Sequence, residues 1–189
     1  MKPRLHGEAF AITFRHMNTF VGTKAPEFKL EGVSHETFEH HALSDYKGKW
    51  VVLFFYPRDF TFICPTEITG FSKADDAFKK LNAQVLGVST DSAHAHKAWL
   101  KELGPLKYPL LADVTHKTSS DYGVLLEESG EAIRGTFIID PEGTVMYALY
   151  HHNNVGRSVK ETLRVLEALQ TGERCPVEWN AGEKTLGKG

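Results

Sequence analysis

The sequence predicts an α/β domain of three layers, with a central mixed β-sheet flanked by helices. Three observations carry that expectation. The segments "WVVLFFY" (residues 50–56), "QVLGVST" (84–90) and "TFIID" (136–140) are apolar without polar alternation, the pattern of strands covered on both faces. Between and after the first two lie segments whose apolar residues recur at helical spacing, so the order runs strand, helix, strand, helix. The tetrapeptide "DPEG" (140–143) then joins "TFIID" to "TVMYALY", and proline at the second position of a turn makes that pair an antiparallel hairpin.

The first of these strands is closed by Pro57, whose fixed φ and missing N–H end the strand and set how the loop leaves the sheet. In "TEITGFSKADDAFKKL" the residues Ile68, Phe71, Phe78 and Leu81 form one stripe, which predicts a helix packed on the sheet. A second helix is expected over "SAHAHKAWLKEL", directly after the strand over 84–90. The last, "RSVKETLRVLEALQ" (157–170), carries Val159, Leu163, Leu166 and Leu169 on one stripe, and Gly172 ends it. No internal repeat, low-complexity tract or interior linker interrupts this order, which reads as one domain.

A chain of 189 residues, 41% hydrophobic and 24% charged, is long enough to bury a core of its own. Its 22 basic and 24 acidic side chains leave a formal charge of −2, which gives neither nucleic acid nor an anionic membrane surface an electrostatic hold. The longest apolar run, "WVVLFFY", falls far short of the roughly 20 residues of a membrane span. The opening "MKPRLHGEAFAITFRH" is basic, but its apolar patch is too brief for a signal-peptide core and no small-residue cleavage site follows. The expected location is therefore the cytoplasm. Met17 comes next, so the segment before it reads as a tail, an added edge strand or an upstream start. Ten histidines include the close pairs of "EHHAL", "AHAHK" and "YHHNN". Residues one or two apart on a helix do not share a face, and no nearby Cys or HExxH pattern accompanies them. They read as surface histidines, and neither metal nor cofactor is expected.

Two cysteines, Cys64 and Cys175, are too few for a disulfide-stapled scaffold and too far apart for a CxxC motif. An isolated cysteine is most often buried and inert. The setting of Cys64, in "FYPRDFTFICPTEITGF", points elsewhere. A helix tolerates proline only in its first turn, so the helix through "TEITGF" begins close to Cys64 and Pro65. The sulfur then lies at a helix N-terminus, where unpaired N–H groups and the helix dipole favour the thiolate, the nucleophilic form. Thr61, three residues earlier, is near enough for its hydroxyl to approach the sulfur. Such a nucleophile stands near the carboxyl end of a strand, where α/β folds commonly place their sites.

At Pro57, Thr61 and Cys64 the chain matches the P-x-x-x-T-x-x-C motif and resembles typical two-cysteine peroxiredoxins of the alkyl hydroperoxide reductase type. The likeness continues in order through "GTKAPEF", "STDS" with "HKAW", "PLLAD", "RGTFIIDPEG", "VGRSVKETLR" and "GERCPVEWNAGEKTL". The resemblance implies a thioredoxin-like fold, with an N-terminal extension over 1–19, the peroxiredoxin domain over 20–171 and a C-terminal arm over 172–189. It makes Cys64 the peroxidatic nucleophile, which becomes sulfenic acid. Thr61 would help hold the peroxide, Pro57 would shield the sulfur, and Arg134 would stabilise negative charge on sulfur and leaving oxygen. Glu67 and Arg157 match a supporting pair that orients Arg134, the alternative being a solvated ion pair of little consequence.

Cys175 matches the resolving cysteine, which in the family reaches Cys64 of the partner subunit. The implied assembly is a homodimer, often a ring of five dimers, and the implied reductant a thioredoxin-like protein or flavoprotein disulfide reductase. The competing class is a non-catalytic role on the same fold, either a redox relay or a holdase-like chaperone assembly. A thioredoxin-type disulfide reductase is disfavoured, because that chemistry needs two adjacent thiols. Two features of peroxide-sensitive members are replaced: "KELGPLKYPLLAD" stands where they carry a Gly-Gly-Leu-Gly loop, and "TLGKG" where they carry a Tyr-Phe helix. Resistance to excess peroxide is the expected consequence.

Overall fold

A computed structural model describes residues 19–188, so the expected N-terminal extension lies, but for Thr19, outside the described residues. Among the described residues nine strands and four α-helices follow one another: β1 Lys29–Ser34, β2 Thr37–Ala42, β3 Trp50–Phe55, α1 Cys64–Lys80, β4 Ala83–Ser89, α2 Ala93–Leu103 and β5 Leu110–Ala112 come first. Then come α3 Lys117–Asp121, β6 Leu125–Leu126, β7 Glu131–Ala132, β8 Arg134–Ile139, β9 Val145–His151 and α4 Val159–Gln170. Seven strands form one sheet in the order β2-β1-β5-β4-β3-β8-β9, while β6 and β7 pair apart. Strands β3, β4 and β5 run parallel, and β8 returns antiparallel beside β3. The sheet is mixed, as the sequence predicts, and the fold is the thioredoxin-like one that the resemblance implies.

The interior strand β3 explains its own composition. Val52, Phe54 and Tyr56 point into one apolar cluster with Ile68, Phe71 and Phe78 of α1, Trp99 of α2 and Leu166 of α4. Val51, Leu53 and Phe55 point into a second cluster with Tyr122, Val124, Phe137 and Ile139. With both faces buried, neither leaves room for a polar residue. The three long helices share the first face, and the second is closed by α3 with the segments around it, a division that helical periodicity does not encode.

Local signals account for the ends of the elements. Ser92 and Ser158 cap α2 and α4 by accepting the Ala95 and Glu161 N–H groups. Asp140 accepts from the Glu142 and Thr144 N–H groups across the expected turn, and β8 and β9 pair antiparallel. The β1–β2 hairpin had no such signal. His35 and Glu36 form its turn at φ 47° and 67°, a conformation for which Asn-Gly is the usual sequence mark. Among the described residues no helix is long and apolar enough to cross a membrane.

Candidate active site

Cys64 is the first residue of α1, and Pro65 follows within the opening turn, where its missing N–H has no intrahelical role. The Thr66 and Glu67 N–H groups both return to the Ile63 carbonyl, at 3.0 and 3.3 Å. The sulfur faces inward and is 0% exposed, packed in the cluster with Val52, Phe54 and Tyr56. A cysteine in that position would be inert if apolar neighbours were all it had. They are not.

Arg134, at the start of β8, directs Nη1 to the Cys64 sulfur at 3.4 Å and to Glu67 Oε2 at 2.6 Å. Its Nε and Nη2 both donate to the Asn153 carbonyl, at 3.0 and 2.9 Å. All three nitrogens are thereby fixed, and the guanidinium cannot swing from the sulfur without losing several charge-assisted bonds. Arg157 grips Glu67 from the other side. Its backbone N–H and Nε donate to Oε1 and its Nη2 to Oε2, while Nη1 reaches the Phe55 and Gly135 carbonyls. The Arg134, Glu67 and Arg157 side chains are 3%, 2% and 1% exposed, so the solvated-pair alternative does not describe them.

Two guanidinium groups share one carboxylate, leaving one positive charge in excess beside the sulfur. Burial works against ionisation of Glu67, but the Arg157 hydrogen bonds and charge, with the Arg134 charge, outweigh it and hold the carboxyl below its ordinary value. The site therefore sets fixed positive charge against the Cys64 sulfur.

Other expected members stand differently. Pro57 is buried two residues beyond the end of β3. The Thr61 hydroxyl donates to the Arg58 carbonyl at 3.0 Å, closing its own loop instead of bonding the sulfur, because that carbonyl is the acceptor one turn behind it. Cys175 lies beyond α4, half-buried, with its sulfur near Thr171 Oγ1 and the Ala168 carbonyl at 3.5 and 3.8 Å. Both cysteines are free thiols.

Two contributors carry no local mark in the sequence. Asn153 acts through its backbone carbonyl, which any residue possesses. His96 departs from the expected surface role: it is 0% exposed, with Nδ1 2.7 Å from Asp59 and Nε2 3.2 Å from the Leu111 carbonyl. Asp59 also accepts from the Tyr56 hydroxyl, and its N–H donates to Asp91, so the loop from Pro57 to Ile63 is anchored to the end of β4 and to α2. Among the described residues no three His, Cys, Asp or Glu side chains converge as metal ligands.

A family model described as AhpC/TSA matches residues 21–148. The chain belongs to the AhpC/TSA family of peroxiredoxins. It is 53% identical to Peroxiredoxin-2 of Bos taurus over 176 residues, 88% of each chain. Its fold superposes on the reduced 2-Cys peroxiredoxin of Plasmodium vivax with a TM-score of 0.86 and 40% identity, covering 88% of this chain and 92% of that one. The Enterococcus faecalis AhpC structure gives 0.80 and 36%, over 83% and 99%. As a peroxiredoxin, this protein is a thiol-dependent peroxidase, an oxidoreductase acting on peroxides.

Proposed function

We propose that Cys64 is the peroxidatic nucleophile and that the partner subunit's Cys175 resolves it. The observation that carries the reading is the Arg134 Nη1 contact to the Cys64 sulfur at 3.4 Å, inside a buried site with one positive charge in excess. The Cys64 thiolate attacks one oxygen of a hydroperoxide. An S–O bond forms, the O–O bond breaks, and the departing oxygen takes a proton and leaves as water or alcohol. Arg134 supplies fixed positive charge where negative charge moves from sulfur to leaving oxygen. Because the Thr61 proton is committed to the Arg58 carbonyl, its oxygen is left to accept the hydroperoxide O–H. Buried Pro57 keeps water from the sulfur.

The resulting sulfenic acid is attacked by a Cys175 thiolate. The S–S bond forms, the S–O bond breaks, and hydroxide leaves to become water. With Cys64 fully buried, this step needs the start of α1 to open. Pro65 contributes no N–H bond, so the bonds to break at the start of the turn are those of the Thr66 and Glu67 N–H groups and the Thr66 hydroxyl to the Ile63 carbonyl, and the Arg134 contact to the sulfur, while Glu67 can stay on its arginines. The working unit is a homodimer that assembles into a ring of five dimers in the cytoplasm. Its disulfide is re-reduced by a thioredoxin-like protein or a flavoprotein disulfide reductase. Peroxide consumption by two variants tests the scheme: Cys64→Ser should consume none, while Cys175→Ser should complete one turnover and stop. Turnover by Cys64→Ser would transfer the chemistry elsewhere.

A further inference from the structure

The segment carrying Cys175 is folded rather than loose. The Arg174 N–H donates to the Gly187 carbonyl and the Leu186 N–H to the Arg174 carbonyl, closing residues 174–187 into a loop. Inside it, the Asn180 N–H donates to the Glu183 carboxylate and the Trp179 indole N–H to the Glu183 carbonyl, at 2.8 and 3.0 Å. Trp179 is only 4% exposed, whereas Val177 two residues before it is 91% exposed. The loop therefore has one anchored side, and the anchor is on α4. Arg164 Nη1 donates to the Trp179 carbonyl at 3.0 Å, while Nε and Nη2 take both oxygens of Glu161 at 2.6 and 2.7 Å. The same guanidinium lines a cleft of about 630 Å³ together with Met146, Ala168 and Cys175.

We propose that Arg164, oriented by Glu161, is the positioning residue for resolution: it clamps the Trp179 loop to α4 and so holds Cys175 where the opened Cys64 turn of the partner subunit can meet it. The inference rests on the assignment of Cys175 as resolving thiol. Two physical points favour a positioning role over general stabilisation. A guanidinium spanning a carboxylate and a carbonyl fixes the direction of its loop, which a point charge would not do. The clamp is also remote in function from the Cys64 cluster, since neither Arg164 nor Glu161 bonds to any of its members. Loss of the clamp leaves the first chemical step untouched and makes the second wait for a loop that wanders. While it waits, the Cys64 sulfenic acid remains exposed to a second peroxide, which adds one more oxygen to give sulfinic acid and releases water or alcohol.

The test separates the two steps in the full chain, using hydrogen peroxide. Sulfenic acid formation is followed with a trapping diketone and disulfide formation by acid quench and intact mass. In Arg164→Ala the first step should run at the parent rate and the second about tenfold slower, the value of one charge-assisted hydrogen bond. Sulfinic acid should correspondingly appear at lower peroxide doses. Arg164→Lys, which keeps the charge and loses the fork, should fall between, and it serves as the informative variant if Arg164→Ala fails to fold. Disulfide formation as fast as in the parent overturns the proposal, and so does equal slowing of both steps, which is the mark of general destabilisation. If the parent forms no sulfenic acid on Cys64 at all, the underlying assignment of the thiols has failed instead.

Discussion

Arg157 holds both oxygens of Glu67, at 2.9 Å from Nε and 2.8 Å from Nη2, which leaves the carboxylate one remaining bridge to make, to Arg134 Nη1. Glu67 is thus the hinge of the charge arrangement around Cys64. Removing its charge should do more than weaken one contact, because two nearly unexposed guanidinium groups would then face each other unpaired. Glu67→Gln should lower unfolding free energy by about 3–5 kcal/mol, the range for breaking a buried ion pair, as read from urea denaturation at pH 7. Wild-type stability would show that the two arginines find other anions.

That stability has a predictable pH dependence. The folded-state pKa of Glu67 lies below its ordinary value of 4.5, because arginine partners outweigh the opposing effect of burial. A depressed carboxyl contributes fully above its unfolded-state pKa and loses that contribution as pH falls through the folded-state value. The gap between wild type and Glu67→Gln should stay constant from neutral pH down to about pH 5 and narrow only below that. A gap that closes between pH 8 and 6 would implicate a different group.

Arg134→Lys is a sharper probe of the chemistry than removal of the side chain. Lysine keeps the charge but cannot at once reach Asn153, Glu67 and the sulfur as the fork does. The second-order rate with hydrogen peroxide should fall about 10²–10³-fold, as when one transition-state donor is lost. A rate close to wild type in competition kinetics would reduce Arg134 to a source of unlocalised charge.

Oxidation should link subunits. One equivalent of peroxide should convert the protein on a non-reducing gel to a covalent dimer that dithiothreitol collapses, and Cys175→Ser should abolish the band. An oxidised band at monomer mass with both thiols blocked would indicate an intrachain bridge.

The enzyme should also resist excess peroxide. The loop "KELGPLKY" meets α1 beyond its first turn, the buried Tyr108 hydroxyl donating to the Ile68 carbonyl and the Lys107 N–H to the Ser72 hydroxyl, and residues 174–187 close on one another and on α4 rather than on the first turn of α1. Neither segment bonds to that turn, so neither must be displaced before it opens. Intact mass after turnover should show disulfide as the main product, with the species heavier by about 32 Da, two oxygens on Cys64, confined to large peroxide excess. Its early accumulation would contradict this.

Much of this arrangement is legible in the chain because local rules produce it. Pro65 places the start of α1, the double-faced apolar run of 50–56 places β3 in the interior of the sheet, and Asp140 with Gly143 sets the β8–β9 turn. The remainder depends on contacts between distant residues. Nothing near His96 indicates that it meets Asp59 across 37 positions, and the Asn153 carbonyl is chemically the same as every other. His35 and Glu36 adopt a left-handed turn without glycine or asparagine to advertise it. The direction of the Thr61 hydroxyl is decided by the nearest carbonyl behind it, which spacing to Cys64 alone does not reveal.

Oxygen transfer to Cys64 is the step on which the proposed function rests. Treating the Cys175→Ser protein with one equivalent of hydrogen peroxide, in the presence of a sulfenic-acid trap, and mapping the adduct by peptide mass tests it most directly. The adduct should appear in stoichiometric yield on the peptide containing Cys64 and be absent from a Cys64→Ser control. Peroxide consumption without an adduct at Cys64, or consumption that survives in the control, would contradict the assignment.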